Sequence, residues 1–270
     1  MPTLYIVATP IGNMEDITLR ALRILDEVSL IAAEDTRKTG RLLSAFGIKT
    51  PLTSYHEHNK ISRLPSLLEH LEREDVALVS EAGMPGISDP GYELVVAAIG
   101  RGIRVEPIPG ASVLVTALAV SGLPTDQFMY VGFLPRRKGQ RRELLKEVEP
   151  QRGTIIAFEA PHRLVAALGD ILEVLGDRRI AVCRELTKMY EEVFRGTVSG
   201  AIDHFSQPIG EFTLVIEGKP EEKPELVDSM IEELRRLKGR GVTAKEAVAR
   251  ISGASGVSKK EVYRAWLGLG

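Results

Sequence analysis

The sequence predicts an α/β protein: two α/β domains followed by a small C-terminal helical module. Three observations predict it. Short β-branched runs alternate with amphipathic helical patterns over most of the chain. Glycine- and proline-rich turns stand where these strands should end. A charged, proline-containing stretch, Lys219-Pro220-Glu221-Glu222-Lys223-Pro224, reads as a linker before three purely helical patterns.

In chain order, Leu4 to Thr9 reads as a first strand. A helix follows over Ile17 to Glu27 with Asp16 as its N-cap, then a strand over Val28 to Ala33. Val76 to Ser80 is a third strand, apolar enough to be buried on both faces. Tyr92 to Arg101 forms a helix that ends at Gly102, Arg104 to Ile108 returns as a strand, and Ala111 to Ser121 is helical. This order argues for a mostly parallel sheet covered by helices. The turn-rich Gly122-Leu123-Pro124-Thr125-Asp126 marks a boundary between domains 1–122 and 123–219. The second domain is expected to hold strands over Gln127 to Phe133, Thr154 to Phe158, Ile180 to Arg184 and Glu211 to Glu217. Its helix, His162 to Leu175, stops at Gly176. In the module 225–270, Glu225 to Lys238, Ala244 to Ser252 and Lys259 to Gly268 read as helices, with Ser258 capping the last. Tyr263 and Trp266 lie three apart and are expected to pack against the tail's own helices.

The composition, 44% hydrophobic and 27% charged over 270 residues, is that of a soluble globular protein. No run approaches the ~18 apolar residues of a membrane span. Met1 to Pro10 has no basic segment, so a secretory leader is not expected. A single cysteine, Cys183, allows no internal disulfide and no cysteine-based zinc site, and its apolar neighbours predict that it is buried. These features together point to the cytoplasm.

The net charge of -2 does not by itself suggest a polyanionic partner, but the charge is uneven. Arg136, Arg137, Lys138, Arg141 and Arg142 cluster around Gly139 as a mobile basic loop might, and Arg235 to Arg264 contains nine basic residues against Glu246 and Glu261. The competing reading of either patch is a solvated helix face.

Several signatures are missing. There is no Walker-type phosphate loop, and Gly239-Arg240-Gly241-Val242-Thr243-Ala244 follows a helix where a dinucleotide fingerprint needs a strand. His56-Glu57-His58 lacks zinc-protease spacing, so no metal is expected and a surface or active-site loop is the better reading. What remains is three loops after strands: Thr9 to Asn13, Ser80 to Gly91, and Pro109 to Ser112. In parallel sheets ligands bind at the carboxyl ends of strands, and glycine there lets the backbone approach them. A single loop would be a tight turn; three in one sheet predict a shared pocket.

Val7-Ala8-Thr9-Pro10-Ile11-Gly12-Asn13, Asp16-Ile17-Thr18-Leu19-Arg20-Ala21, Ala33-Glu34-Asp35-Thr36-Arg37 and Ser54-Tyr55-His56-Glu57-His58-Asn59 resemble the ribosomal RNA small-subunit methyltransferase I family. So do the Ser80–Gly91 loop, Gly132-Phe133-Leu134-Pro135-Arg136, Glu159-Ala160-Pro161-His162-Arg163, Arg184-Glu185-Leu186-Thr187-Lys188 and Gly210 to Ile216. The resemblance implies a tetrapyrrole-methylase-like fold, S-adenosylmethionine bound between two α/β domains, and a homodimer. It also implies methylation of the ribose 2′-hydroxyl of a cytidine in the decoding region, on small-subunit ribosomal RNA or an assembling small subunit. Two departures stand out: Glu81 replaces the usual aspartate and Met84 the usual threonine. Carried over by position, cofactor contacts come from Pro10, Ile11, Glu81, Gly83, Met84, Ile87, Ser112 and Val113, with Phe158, Glu159, Leu186 and Thr213 from the second domain.

A ribose hydroxyl needs a proton acceptor, or a cation for the developing alkoxide. Glu34, Asp35, Glu159 and Glu185 sit near strand ends as acceptors, Arg37, Arg184 and Lys188 as cations, and His56 as the residue type best suited to a base. Each also reads as a structural ion-pair member. The dense Arg-Glu-Leu-Thr-Lys run favours a Glu185-centred site assisted by Lys188. RNA contacts are expected from Arg136, Arg137, Lys138, Arg141 and Arg142, and from Lys259, Lys260 and Arg264 in the tail. Two rival readings remain: a methyltransferase of the same fold acting on a tetrapyrrole precursor, and a non-catalytic RNA-binding protein of ribosome assembly.

Overall fold

A computed structural model describes residues 2–220 and 226–269. The chain divides into two compact units that part after Lys219. Residues 221–224 of the expected linker, and Glu225 and Gly270 at the ends of the expected tail module, lie outside the described residues.

The larger unit begins with β1 (Thr3–Val7), α1 (Leu19–Glu27), β2 (Leu30–Ala33), α2 (Thr36–Ala45), β3 (Leu52–Ser54), α3 (Lys60–Leu71), β4 (Val76–Val79), α4 (Tyr92–Gly100), β5 (Arg104–Ile108) and α5 (Val113–Ser121). The five strands form one parallel sheet in the order β3-β2-β4-β1-β5. Two-residue alternation divides each strand between the faces. Leu4, Ile6, Val76 and Leu78 pack with Leu67, Leu68 and Leu71 of α3 and Leu94 and Ala98 of α4. Val7, Ala77 and Val79 pack with Ile24 and Leu25 of α1 and Leu43 of α2. The sequence reading placed no element between β2 and β4. Its absence there has a physical cause: α2 carries Thr39, Gly40 and Ser44, and α3 has Pro65 inside it, so both have poor intrinsic helix preference and owe their form to the apolar side they bury. The cap of α1 is also corrected. Thr18 caps it, accepting from the Ala21 amide at 3.0 Å, while Asp16 ends a short 3₁₀ turn over Met14–Asp16.

The unit continues through β6 (Phe128–Phe133), α6 (Lys138–Val148), β7 (Thr154–Glu159), α7 (Leu164–Leu175), β8 (Arg179–Arg184), β9 (Glu192–Thr197), α8 (Val198–His204) and β10 (Phe212–Ile216). Its second sheet runs β6-β7-β10-β8-β9; β6 and β7 are parallel and the other pairs antiparallel. β10 sits at the centre, buried at every position. α6, α7 and α8 cover one face through Leu145, Leu164, Leu168, Ile171 and Ala201. The other face is covered by α5, whose Ala117 and Leu118 pack on Ile156, Ala181 and Val215. α5 is apolar nearly all round, yet it buries only Ala117, Leu118 and Ser121 and leaves Val115 and Val120 exposed. The polar edge strand β9 and helices α6 and α8 went unread in the sequence.

The smaller unit holds α9 (Asp228–Gly239), α10 (Ala244–Ser255) and α11 (Lys259–Gly268). Thr243 and Glu246 form a capping box at α10, and Ser258 caps α11 through the Glu261 amide. Trp266 is buried among Leu234, Val248 and Val262, with the Lys238 ammonium 5.7 Å from its ring centroid. Tyr263 stays half exposed, at 48%, and does not share that burial.

Candidate active site

A parallel sheet delivers all its carboxyl ends to one edge, so the loops after β1, β4 and β5 meet there. The first two are tied directly: the Thr9 amide donates to the Gly83 carbonyl at 2.9 Å and the Gly83 amide to the Thr9 carbonyl at 3.0 Å. Gly83 has φ of 80°, a conformation side-chain-bearing residues rarely adopt.

These loops and the second sheet enclose a cavity of ≈ 360 Å³. Ile11, Glu81, Gly83, Met84, Ile87, Ser112 and Val113 line it from the first sheet's loops, and Phe158, Glu159, Leu186 and Thr213 from the second sheet. Of the expected cofactor contacts only Pro10 stands apart; it lines an adjoining cavity of ≈ 230 Å³. Phe158 is fixed edge-to-face by Tyr130 and Phe133, at centroid distances of 5.2 and 5.3 Å. The carboxylate of Glu159 is fully buried. Its Oε1 accepts from the Ala160 amide at 2.7 Å and pairs with Arg163 at 2.5 Å, while Oε2 has no hydrogen-bond partner. Burial holds the Glu159 pKa above the usual carboxylate range despite those partners.

Glu185 and Lys188, proposed together from sequence, are in contact. Lys188 Nζ donates to Glu185 Oε1 at 3.0 Å and to Glu211 Oε2 at 2.9 Å, and Glu185 Oε1 also accepts from the Glu211 amide at 2.8 Å. Burial alone would push Glu185 up, but the amide and the ammonium outweigh it and hold the carboxyl below its ordinary value. For Lys188, burial is in turn outweighed by Glu211 and Glu185, so the ammonium keeps its proton more firmly than usual. Glu185 is therefore a poor proton acceptor and a good anchor for a cation. Gly12 makes room for this lysine: a Cβ there would meet Lys188 Cγ at 2.5 Å.

Backbone strain marks the same region. Among the described residues, the non-glycine positions with positive φ are Ser88 (64°), Glu185 (49°) and Thr187 (65°). Ser88 lines the larger cavity, and Glu185 and Thr187 flank the cavity-lining Leu186 and Lys188. Strain of this kind concentrates at functional sites. Next to Ser88 is a residue the sequence reading passed over. Asp89 lines the larger cavity, and burial followed by repulsion from Glu34 pushes its pKa up to about 7. Its signal was a carboxylate between serine and proline in an otherwise glycine-rich ligand loop.

Other expected residues lie elsewhere. His56 lines neither cavity; it sits between β3 and α3, with its amide donating to Asn59 Oδ1 at 2.8 Å and its Nδ1 buried without a hydrogen-bond partner. His56 has no catalytic part in the mechanism proposed for this site. Asp35 caps α2 and pairs with Arg37, whose hydrogen bond holds its pKa down at about 2. Arg184 is taken up by the Ile209 carbonyl at 2.7 Å and by Glu192 at 3.3 Å. The mobile basic loop is also corrected: α6 starts at Lys138, and Arg141 is only 4% exposed, bonded to Asp170 at 2.5 and 2.8 Å. Arg142 pairs with Asp170 at 2.8 Å and with Glu173. Neither guanidinium is free for a phosphate. Arg136, Arg137 and Lys138 are exposed, as are Lys259 and Lys260. Among the described residues no cluster of His, Cys, Asp or Glu is arranged to hold a metal ion, and no helix is long and apolar enough to cross a membrane.

The fold is shared with solved structures. It matches uroporphyrin-III-C-methyltransferase from Thermus thermophilus with a TM-score of 0.57 at 22% identity, covering 81% of this chain and 95% of that one. A diphthine synthase matches with a TM-score of 0.60 at 15% identity, over 80% of this chain and 90% of that one. The family model of Tetrapyrrole (Corrin/Porphyrin) Methylases matches residues 3–202. Fold and cleft thus define a methylase of the tetrapyrrole-methylase class. Relatives named "Ribosomal RNA small subunit methyltransferase I" narrow this further. The one from Halalkalibacterium halodurans is 51% identical over 97% of this chain and 93% of its own length. That from Bacillus subtilis is 45% identical over 98% and 94%, and that from Thermotoga maritima 52% over 81% and 100%. The chain belongs to the ribosomal RNA small subunit methyltransferase I family.

A methylase of this family takes its methyl group from S-adenosylmethionine. The larger cavity fits that molecule. Its volume is that of an ordinary cofactor pocket, and its walls are largely apolar. The orphaned Glu159 Oε2 calls for a donor from a ligand, and S-adenosylmethionine has several in its amines and hydroxyls.

Proposed function

We propose that the protein methylates small-subunit ribosomal RNA at the ribose 2′-hydroxyl of a cytidine in the decoding region, acting in the cytoplasm on the RNA or on an assembling subunit. The observation that carries this reading is the Glu185-held Lys188 ammonium in the smaller cavity, which adjoins the larger one. S-adenosylmethionine supplies a methyl group already activated on a sulfonium. Ile11, Glu81, Gly83, Met84, Ile87, Ser112, Val113, Phe158, Leu186 and Thr213 would hold it, with Pro10 at the edge and Glu159 accepting one of its donors. Lys188 stabilises the oxygen that gains charge as its proton leaves, and Glu185 positions Lys188. Asp89 receives the proton, because a carboxyl of pKa about 7 is about half ionised at neutral pH and more basic than an ordinary carboxylate.

Mass mapping of small-subunit RNA from cells with and without the protein tests this reading. A cytidine that carries a ribose methyl group only when the protein is present is the expected result; an unchanged modification map overturns it.

The pH dependence follows from Asp89. Its folded pKa lies above its unfolded value, so ionisation costs the folded state stability over that interval, and the full cost is present above about pH 7. Activity should rise through about pH 7 as Asp89 loses its proton. Asp89→Asn should flatten that limb and melt above the wild type at pH 8, but not at acid pH. A wild-type pH profile in this variant removes Asp89 from the mechanism.

RNA would be held by Arg136, Arg137 and Lys138, exposed beside Phe133, and by Lys259 and Lys260 in the tail. Neutralising Arg136, Arg137 and Lys138 together should lower the salt slope of RNA affinity by roughly two to three units; an unchanged slope discredits the patch. The Thermotoga maritima relative is matched over its full length by 81% of this chain, about the share of the larger unit. That supports chemistry in residues 1–219; the reading divides them into lobes 1–122 and 123–219 and gives docking to the tail. Methylation of a tetrapyrrole precursor would leave these basic residues without a role. The reading includes a homodimer, for which the exposed Tyr92, Val96 and Ile99 of α4 offer an apolar face.

A further inference from the structure

We infer that the smaller cavity is the seat of a single acceptor nucleotide, everted from its strand, with Lys38 and Lys188 receiving its flanking phosphate and ribose oxygens. The inference rests on the RNA-methylation reading above and adds to it where the acceptor sits.

Charge divides the two cavities. Among the described residues, the larger one is lined by the carboxylates Glu81, Asp89, Glu159 and Glu211 and by no lysine or arginine. That suits a donor that carries a sulfonium and an ammonium. The smaller one presents two cations, Lys38 from α2 and Lys188 from the loop after β8. That suits a phosphodiester. Ile11, Glu81, Ala82 and Glu211 belong to both linings, so the two occupants would touch across a common wall. An in-line displacement needs that contact, with reacting atoms about 3 Å apart.

Both lysines are occupied by carboxylates of the common wall: Lys38 pairs with Glu81, and Lys188 with Glu211 at 2.9 Å. The Glu211 side chain is 79% exposed, and an ion pair that open to water is weakly held. A phosphate arriving on RNA takes the place of Glu211 at Lys188, while the buried side of the ammonium stays with Glu185. The rest of the wall, which includes Met14, Thr39 and Leu42, is uncharged and leaves space for the flat body of a nucleoside. At ≈ 230 Å³ the cavity has no room for a paired and stacked base, so the target must leave its helix.

The test fills the cavity from two sides, with Leu42→Trp and with Met14→Trp as the second variant should the first fail to fold. Met14 is 47% exposed in a short turn. Neither residue lines the larger cavity. Cytidine 3′-monophosphate is titrated into each protein with S-adenosylhomocysteine present, and S-adenosylmethionine binding is measured separately by calorimetry. The wild type is expected to bind the nucleotide at about 1 mM or tighter, and the variants at least about tenfold more weakly, with donor affinity kept within about twofold. Equal nucleotide binding in a folded variant overturns the proposal. So does loss of the donor together with the nucleotide, or a wild type that binds no nucleotide. A wild type that binds the nucleotide but methylates no RNA would leave the seat in place and remove the RNA-methylation reading alone.

Discussion

Glu185→Ala is expected to lower kcat on small-subunit RNA by roughly 10²–10³-fold while S-adenosylmethionine still binds. The carboxylate does not line the donor cavity, so the donor should not notice its removal. Lys188 does. It loses the partner at 3.0 Å and keeps only Glu211, which is too exposed to hold it. A lysine has a flexible stem, and once it is freed its ammonium spreads over many positions at the moment when one position is needed. The effect should appear mainly in kcat, since the alkoxide charge that Lys188 meets develops only in the transition state, with a smaller rise in KM from the phosphate it also receives. The backbone supplies a control. Glu185 adopts φ of 49°, which costs a residue with a side chain about 1 kcal/mol more than it costs glycine. Glu185→Gly should therefore be as inactive as Glu185→Ala yet melt no lower than it. Wild-type turnover in either variant removes the assignment.

Arg141→Ala should act on stability instead. Arg141 and Asp170 are each about 5% exposed at their side chains and joined at 2.5 Å. Breaking a buried pair from one side leaves a charge without its counter-ion, at a cost of about 3–5 kcal/mol. Arg142, 2.8 Å from the other oxygen of Asp170, keeps the loss toward the lower end. A fall in Tm of roughly 10 °C follows for a unit of this size, with RNA affinity per folded molecule unchanged. Burial of Asp170 would raise its pKa, but Arg142 and Arg141 outweigh it and the net shift is downward. The stabilisation is thus complete at neutral pH and is lost as pH falls into the acid range. A variant that melts like the wild type but binds RNA weakly would return Arg141 to the RNA surface.

The contrast between Arg141 and Arg136 shows where sequence reading reaches its limit. Both are arginines of one basic cluster. Whether such a residue meets RNA or a buried aspartate depends on Asp170, which lies 29 positions away on α7. Nothing local encodes that meeting. Arg184 follows the same rule: it looked available in the sequence and is bonded to the Ile209 carbonyl, 25 positions away. Asp35 is the opposite case, a local N-cap whose partners are the amides of Arg37 and Lys38. The position of His56 is hidden from the sequence for another reason. Its loop joins β3 to α3, two elements too short or too broken by Pro65 to announce themselves.

By itself, the sequence determined β1, β2 and β4, the inner strands of the first sheet, because strands buried on both faces must be apolar throughout. It also determined the ligand loops, because a backbone that approaches a ligand closely needs glycine, and close approach leaves the same mark at any distance along the chain. Only the tertiary structure decided that α5, which follows the first sheet in sequence, covers the second. An all-apolar helix has no preferred face for the sequence to display. The tertiary structure likewise decided that Lys188 stands between Glu185 and Glu211, and that Asp89 is buried enough to titrate near neutrality. Charge and pKa depend on what surrounds a group in space, and the order of residues does not contain that.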